Sequence, residues 1–259
     1  MGIEVVIVLF ILGFIGSFIS GMLGIGGAIV NYPILLYLPA ILGVANFSAH
    51  QVSGMVAVQV LFATITGVWA YRKGGYINKS LIIYMGAGVL AGSLIGSFLS
   101  NLFSENQINI IYALLATIAA VMMFLPKKEV SEERFDDTQY NKWLGVLIAF
   151  LVGISAGIVG AGGAFILVPV MLVVLKIPTR ITIATSLAIT FISSIGATAG
   201  KLITHQVLLW PTVIIVIASL AASPLGAVVG QKLNSKTLKI LLAVLIVLTS
   251  LKIWWDVLL

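Results

Sequence analysis

Long apolar runs separated by short polar segments dominate the chain. Six runs approach the 20 or so residues that a helix needs to cross a bilayer; they cover about 51–71, 80–102, 107–125, 181–203, 207–230 and 237–255. Two further runs, about 3–45 and 143–175, are too long for one helix, and each contains a glycine cluster. The pattern predicts an all-α polytopic membrane protein with six full spans and two hairpins, or ten spans if every hairpin arm crosses.

The two over-long runs belong to an internal repeat. Residues 21–33 align without gaps on residues 157–169, with six identical positions at an offset of 136, and Ser53 matches Ser186 at an offset of 133. The glycine clusters, which we name the first tip (Gly24–Gly27) and the second tip (Gly160–Gly163), coincide in this alignment. The repeat predicts a first transmembrane unit over 1–125, a hydrophilic cytoplasmic linker over 126–142 and a second transmembrane unit over 143–259.

The distribution of basic residues predicts how the halves are oriented. If each glycine-interrupted run crosses the membrane once, Lys and Arg divide 9 to 5 between the two sides. If each run is a hairpin that returns to its side of entry, the division is 12 to 2, with only Lys201 and Lys252 on the second side. Because basic residues concentrate on the cytoplasmic side, we expect hairpins, inverted-topology repeats, both termini outside and a multi-pass protein of the plasma or inner membrane. The twelve are Arg72, Lys73, Lys79, Lys127, Lys128, Arg134, Lys142, Lys176, Arg180, Lys232, Lys236 and Lys239.

Composition excludes several other classes of protein. Hydrophobic residues make up 61% of the 259 positions and charged residues 8%, against about 25% charged residues in soluble domains. The absence of Cys excludes disulfides and thiolate chemistry. The net charge of +6 comes from residues between apolar runs and forms no stripe for nucleic acid. We therefore expect the lipid bilayer as a partner, and no nucleic acid, metal or cofactor.

The duplicated tips predict an anion site. Irregular backbone at membrane depth must be buried in protein or line a wet cavity, and a helix that starts after such a break points unpaired N–H groups at the gap. Two tips entering from opposite faces would meet near the midplane and hold an anion without a buried cation. The predicted substrate-binding residues are Gly24, Gly26, Gly27, Asn31, Gln51, Ser53, Gly160, Gly162, Gly163, Thr185 and Ser186.

Two other interpretations of these features stay open. Glycines also permit close helix packing in bilayers, which is our expectation for Gly88, Gly92 and Gly96. Unwound carbonyls at the tips could bind a cation, as in a coupled carrier or importer. No acidic or basic residue lies near the middle of a span, which argues against proton coupling. An intramembrane enzyme is disfavoured, because no metal motif or paired-Asp arrangement is present.

The twin G-x-x-G-x-G-G segments, followed by Pro33 and Pro169, resemble the TauE/SafE family of sulfite and organosulfonate exporters. Ala184-Thr185-Ser186-Leu187 also matches the family, whereas Gln51-Val52-Ser53-Gly54 departs from the Thr-Ser-Leu expected in the first half. The resemblance implies a transporter, not an enzyme, that exports sulfite, sulfoacetate or related organosulfonates. It leaves a homodimer open.

Overall fold

The structure is a computed structural model that describes residues 2–124 and 141–258. The described part contains ten α-helices and two single 3₁₀ turns, Arg72–Gly74 and Ser100–Leu102. The helices are α1 (Ile3–Leu23), α2 (Ala28–Ile41), α3 (Ala49–Tyr71), α4 (Lys79–Leu99), α5 (Glu105–Phe124), α6 (Lys142–Val159), α7 (Ala164–Val173), α8 (Thr179–Ile203), α9 (Leu209–Lys232) and α10 (Ser235–Leu258). The predicted linker over 126–142 lies outside the described residues except for its last two positions.

Eight of the described helices are long and apolar enough to cross a membrane, which confirms the polytopic all-α prediction. The exceptions are α2 and α7, with 14 and 10 residues. Both over-long runs are interrupted where the sequence predicted. α1 ends at Gly24 and α6 ends at Gly160, and both glycines adopt the left-handed conformation, with φ of 73° and 76°. A side chain would strain this conformation.

Each interrupted run folds back on itself. In the first half, the Asn31 side-chain nitrogen lies 3.5 Å from the Ser17 hydroxyl, so α2 runs antiparallel to α1. In the second half, a side chain at Gly163 would meet Ala156 and Val152 of α6. The runs are therefore helical hairpins. Their outgoing arms, α1 and α6, have membrane-crossing length, and their returning arms are shorter than a crossing requires.

Close helix packing at glycines is repeated between the two halves. In one pair, α1 lies against α9, with Gly226 against the Phe18 carbonyl. In the other, α6 lies against α4. A Cβ placed on Gly88 would lie 2.6 Å from the Val146 carbonyl oxygen, and a Cβ placed on Gly92 or Gly96 would also collide with the backbone of α6. The packing prediction for Gly88, Gly92 and Gly96 is thus confirmed, because any larger residue would push the helices apart.

The matching helices α3 and α8 run in opposite directions through the centre of the molecule. His50, at the start of α3, lies 3.4 Å from the Gln206 side chain just after α8. At the other end, the Asn78 amide, which follows α3, donates to the Thr185 hydroxyl near the start of α8 over 3.0 Å. These two contacts place the N-terminus of each helix beside the C-terminus of the other.

Basic side chains meet at one end of the bundle, which we call the basic end. It comprises the C-termini of α3 and α9 and the N-termini of α4, α6, α8 and α10. Arg180 donates to the Gln231 carbonyl over 3.4 Å, and Gln231 donates to the Ala70 carbonyl over 3.1 Å. Lys142, at the start of α6, lies 5.0 Å from the ring of Tyr84 near the start of α4. The residues that the charge count assigned to one side therefore share one end wherever the structure describes them.

Candidate functional site

The two glycine tips converge on the crossing of α3 and α8. A Cβ placed on Gly26 would lie 2.9 Å from the Thr190 methyl and 3.2 Å from the Thr64 methyl. A Cβ placed on Gly162 would lie 2.9 Å from the same Thr190 methyl and 2.8 Å from a Val60 methyl. Val60 and Thr190 stand near the middle of their helices. Both hairpins thus bring their irregular backbone to one buried point.

Two helices begin at this point without a cap. α2 and α7 start immediately after Gly27 and Gly163, and neither glycine offers a side chain to the first-turn N–H groups. The first residues of both helices, Ala28 and Ala164, are completely buried. A buried helix start without a cap leaves N–H groups unsatisfied and carries a partial positive charge. Such a terminus favours an anion.

Polar side chains surround the first tip, in a set that we call the Gly27 niche: Ser17, Ser20, Asn31 and Gln59. A Cβ on Gly27 would lie 3.4 Å from the Asn31 side-chain nitrogen, 3.5 Å from the Gln59 side-chain nitrogen and 3.6 Å from the Ser20 hydroxyl. The Gln59 nitrogen donates to the Ser17 hydroxyl over 2.6 Å. All four residues are buried, yet Ser20 Oγ, Asn31 Oδ1 and Gln59 Oε1 have no hydrogen-bond partner. Since buried polar atoms are nearly always paired, the niche has the character of a binding site.

The niche is a feature of the first half alone. At the matching positions of the second half, Ser17, Ser20 and Asn31 are replaced by Gly153, Ala156 and Leu167. Accordingly, a side chain at Gly163 would meet only the carbon atoms of Ala156, Val152 and Leu167. The repeat preserves the shape of the tips, whereas the polar groups that could contact a ligand concentrate at the first one.

The predicted hydroxyl residues hold the hairpins in place. Ser53 donates to the Ile158 carbonyl over 3.3 Å, and a side chain at Gly160 would collide with the Ser53 carbonyl. On the other side, Ser186 donates to the Gly24 carbonyl over 2.9 Å. Each hydroxyl therefore ties the hairpin of one half to the central helix of the other.

The remaining predicted residues lie at helix starts. Thr185 accepts from the Asn78 amide, and its hydroxyl lies 3.4 Å from the Tyr76 carbonyl. Gln51 forms a capping box with Ser48 at the start of α3, where its side chain accepts from the Ser48 amide over 3.0 Å. The structure brings Asn31 and the six tip glycines to the two hairpin tips, and it places Gln51 and Thr185 at the helix ends.

Sequence reasoning missed several residues of this region. Ser17 and Ser20 precede the first tip at a helical spacing of three. Gln59 and Thr190 are polar positions within apolar runs, and that interruption was the signal that could have identified them. Lys201 is a correction. The sequence predicted an anion site without a buried cation, and it placed Lys201 at the end of a span, on the side opposite most basic residues. The side chain of Lys201 is instead completely buried.

Two buried hairpin tips inside a bundle of membrane-length helices are typical of a polytopic membrane transporter, in which broken helices are buried in protein or line the substrate cavity. The sequence pattern described as sulfite exporter TauE/SafE matches residues 9–253. The chain belongs to this family, as its doubled glycine motif predicted.

Curated relatives agree with this assignment. The probable membrane transporter protein YunE of Bacillus subtilis is 25% identical and covers 96% of this chain and 97% of its own length. A probable membrane transporter protein of Xylella fastidiosa is 26% identical, with coverages of 91% and 88%. Another from Methanocaldococcus jannaschii is 24% identical, with coverages of 91% and 90%. These names describe transport and not catalysis. No solved structure matches the chain.

Proposed function

We propose that this protein exports small sulfur-containing oxyanions, such as sulfite, sulfoacetate or related organosulfonates, across the plasma or inner membrane. The observation that carries the proposal is that both tips converge on Thr190, through Gly26 and Gly162, and that each tip is followed by a buried, uncapped helix start. Partial positive charge from both termini favours a negatively charged ligand there. The family description, sulfite exporter, supports the substrate class.

The Gly27 niche supplies the groups that would recognise such a ligand. A sulfite or sulfonate head carries three oxygens that accept hydrogen bonds. The side-chain nitrogens of Asn31 and Gln59 and the hydroxyl of Ser20 border the space beside Gly27. With the first-turn N–H groups of α2, these donors match a small oxyanion. The proposed site also includes the second-tip glycines, because Gly162 faces the same Thr190 methyl as Gly26, the neighbour of Gly27.

The direction of transport follows from charge. We assign the basic end to the cytoplasm and both chain termini to the outside, with the repeats related by inverted topology and the site near the midplane. A cell interior at about −100 mV favours the exit of a monovalent anion by about 2.3 kcal/mol, and of a divalent anion by about twice as much. Export of an anion therefore needs no coupled ion, whereas uncoupled import would run uphill.

One observation favours a second candidate, a sodium-coupled anion carrier. Asn31 Oδ1 and Gln59 Oε1 are neutral oxygens, buried and unpaired. Neutral oxygens beside broken helices are the ligands that sodium-coupled transporters use. If Na⁺ binds in the niche, anion flux depends on Na⁺, and this dependence separates the two candidates.

The proposal is tested with purified protein in proteoliposomes. Uptake of labelled sulfite, sulfoacetate, sulfate and thiosulfate is measured beside a cation and a neutral solute, with and without Na⁺. We expect saturable flux of the sulfur oxyanions only. Flux of the cation without flux of any anion would refute the proposal.

Variants that import residues from the second half localise the site. Asn31→Leu and Gln59→Ile introduce the side chains found at the matching positions Leu167 and Ile192. Leu167 packs in the second hairpin at the place that Asn31 takes in the first, and Ile192 stands in α8, the counterpart of α3. We therefore expect both variants to fold and to lose anion flux. Normal flux in both variants would place the site elsewhere.

A further inference from the structure

Lys201, in the last turn of α8, is a buried cation with neutral partners. Its side chain is completely buried. The ammonium group donates to the Gln206 side-chain oxygen over 2.7 Å and to the Ile158 carbonyl over 2.9 Å. Among the described residues, no carboxylate lies within ion-pair distance of it, and no acceptor is found for its third N–H. A buried ammonium without a counter-ion is costly, and in membrane proteins such groups mark substrate pathways.

The groups around Lys201 do not neutralise it. Gln206 also contacts the Ser100 hydroxyl over 3.0 Å and the His50 ring over 3.4 Å. Glu105, at the start of α5, accepts from the Ala49 amide over 3.2 Å and is not a partner of Lys201. None of these contacts therefore supplies the ammonium group with a counter-charge.

The place of Lys201 links it to the proposed site. Lys201 contacts the carbonyl of Ile158, which lies two residues before the second tip begins at Gly160. The same carbonyl accepts a hydrogen bond from Ser53. On α8, the side chains of Thr190, Ser193, Ala197 and Lys201 follow one helix face at spacings of three and four. The hydroxyls of Thr190 and Ser193 are buried and unpaired. Lys201 therefore lies on the same helix face as two unpaired hydroxyls, about 16 Å from the point where the tips meet, by the helical rise of 1.5 Å per residue.

A purely structural role does not require the charge. Lys201 contacts a carbonyl at the C-terminus of α6, where a cation is favoured. The first hairpin, however, is held by the neutral Ser186 at its Gly24 carbonyl. Val68 stands in α3 at the position that matches Lys201, by the offset of 133. The repeat therefore anchors a hairpin of the same shape without a buried cation.

We infer that Lys201 is the fixed positive charge that selects anions on the path between the hairpin tips and the end of the bundle opposite the basic end. This inference rests on the proposed function. The substrate leaves the tips along the face of α8 that carries the Thr190 and Ser193 hydroxyls, and it passes the ammonium group, which serves as its counter-charge. Divalent anions gain more from this charge than monovalent ones, because the Coulomb energy is proportional to the charge of the anion.

The test compares two variants that remove the charge in different ways. Lys201→Met removes the charge and both hydrogen bonds. Gln206→Glu keeps an acceptor for the ammonium group and cancels its charge, so the anchoring contact is preserved. Lys201→Arg keeps the charge. Each protein is reconstituted, and inhibition of labelled sulfite flux is measured with a monovalent competitor, methanesulfonate, and a divalent one, sulfoacetate.

The expected result is a charge-dependent loss of affinity. If Lys201→Met or Gln206→Glu raises the inhibition constant of methanesulfonate about tenfold, that of sulfoacetate should rise about a hundredfold, since the interaction energy doubles with charge. Lys201→Arg should retain the preference for sulfoacetate. If Gln206→Glu leaves both constants unchanged, or changes them by equal factors, Lys201 is only an anchor and the inference is overturned. If the wild-type protein carries no anion, the proposed function itself fails, and this inference with it.

Discussion

One methyl group at Gly27 should sharply reduce transport while leaving the fold intact. Gly27 has a φ of 102°, so alanine at this position costs strain of about 1–3 kcal/mol. The added methyl would meet Asn31, Gln59 and Ser20 at 3.4–3.6 Å, which are ordinary contact distances. Gly27→Ala therefore adds no clash. Instead, it fills the space that we assign to the anion.

Gly43 provides a matched control. It also has a left-handed φ, 69°, and a side chain there meets nothing within 4 Å. Gly43→Ala should cost about 1–2 kcal/mol of stability through the same kind of strain and leave transport unchanged. Thermal unfolding in detergent then compares the stability of the two variants, and sulfite flux in proteoliposomes compares their function.

The expected size of the effect follows from overpacking. Forcing a methyl group into an occupied site costs about 1–3 kcal/mol, which corresponds to a loss of about 5- to 150-fold in substrate affinity. We expect kcat/KM for Gly27→Ala to fall at least about tenfold below that of Gly43→Ala. Equal flux in the two variants, at comparable unfolding temperatures, would show that the anion does not occupy the Gly27 niche.

Three further predictions concern anchoring, topology and energetics. Ser186→Ala removes the hydrogen bond to the buried Gly24 carbonyl and should lower stability by about 1–3 kcal/mol. Ser155→Ala, at a partly exposed position bonded to its own helix, should change stability by less than about 0.5 kcal/mol. Similar unfolding temperatures for the two variants would argue against the anchor. Glu132→Cys, in the linker and on a chain without other cysteines, should resist an impermeant maleimide in intact cells, and labelling would reverse the proposed orientation. Anion efflux should change the accumulation ratio about tenfold per 60 mV per charge; uphill movement driven by a Na⁺ or H⁺ gradient at zero voltage would show coupling instead.

The sequence by itself determined the membrane class and the position of both helix breaks. It did not give the number of long helices, because six or ten were expected and eight are found in the described part. The two properties that it determined are local. A run of about 20 apolar residues must form a helix in lipid, and the glycines at 24 and 160 end helices because they adopt the left-handed conformation without strain. The repeat was also visible locally, since its motif aligns without gaps, and it led to the correct family.

Only the tertiary structure decided which polar groups share a site. Gln59 joins Ser17 and Asn31 because α3 packs beside a hairpin about 30–40 residues earlier in the chain, and no spacing rule encodes that contact. Ser53 and Ser186 were predicted to bind the substrate, and only the structure shows that their hydroxyls donate to backbone carbonyls of the opposite half. Lys201 near a span end was indistinguishable from a flanking charge, because burial depends on the helices that surround a residue and not on its own position in the sequence.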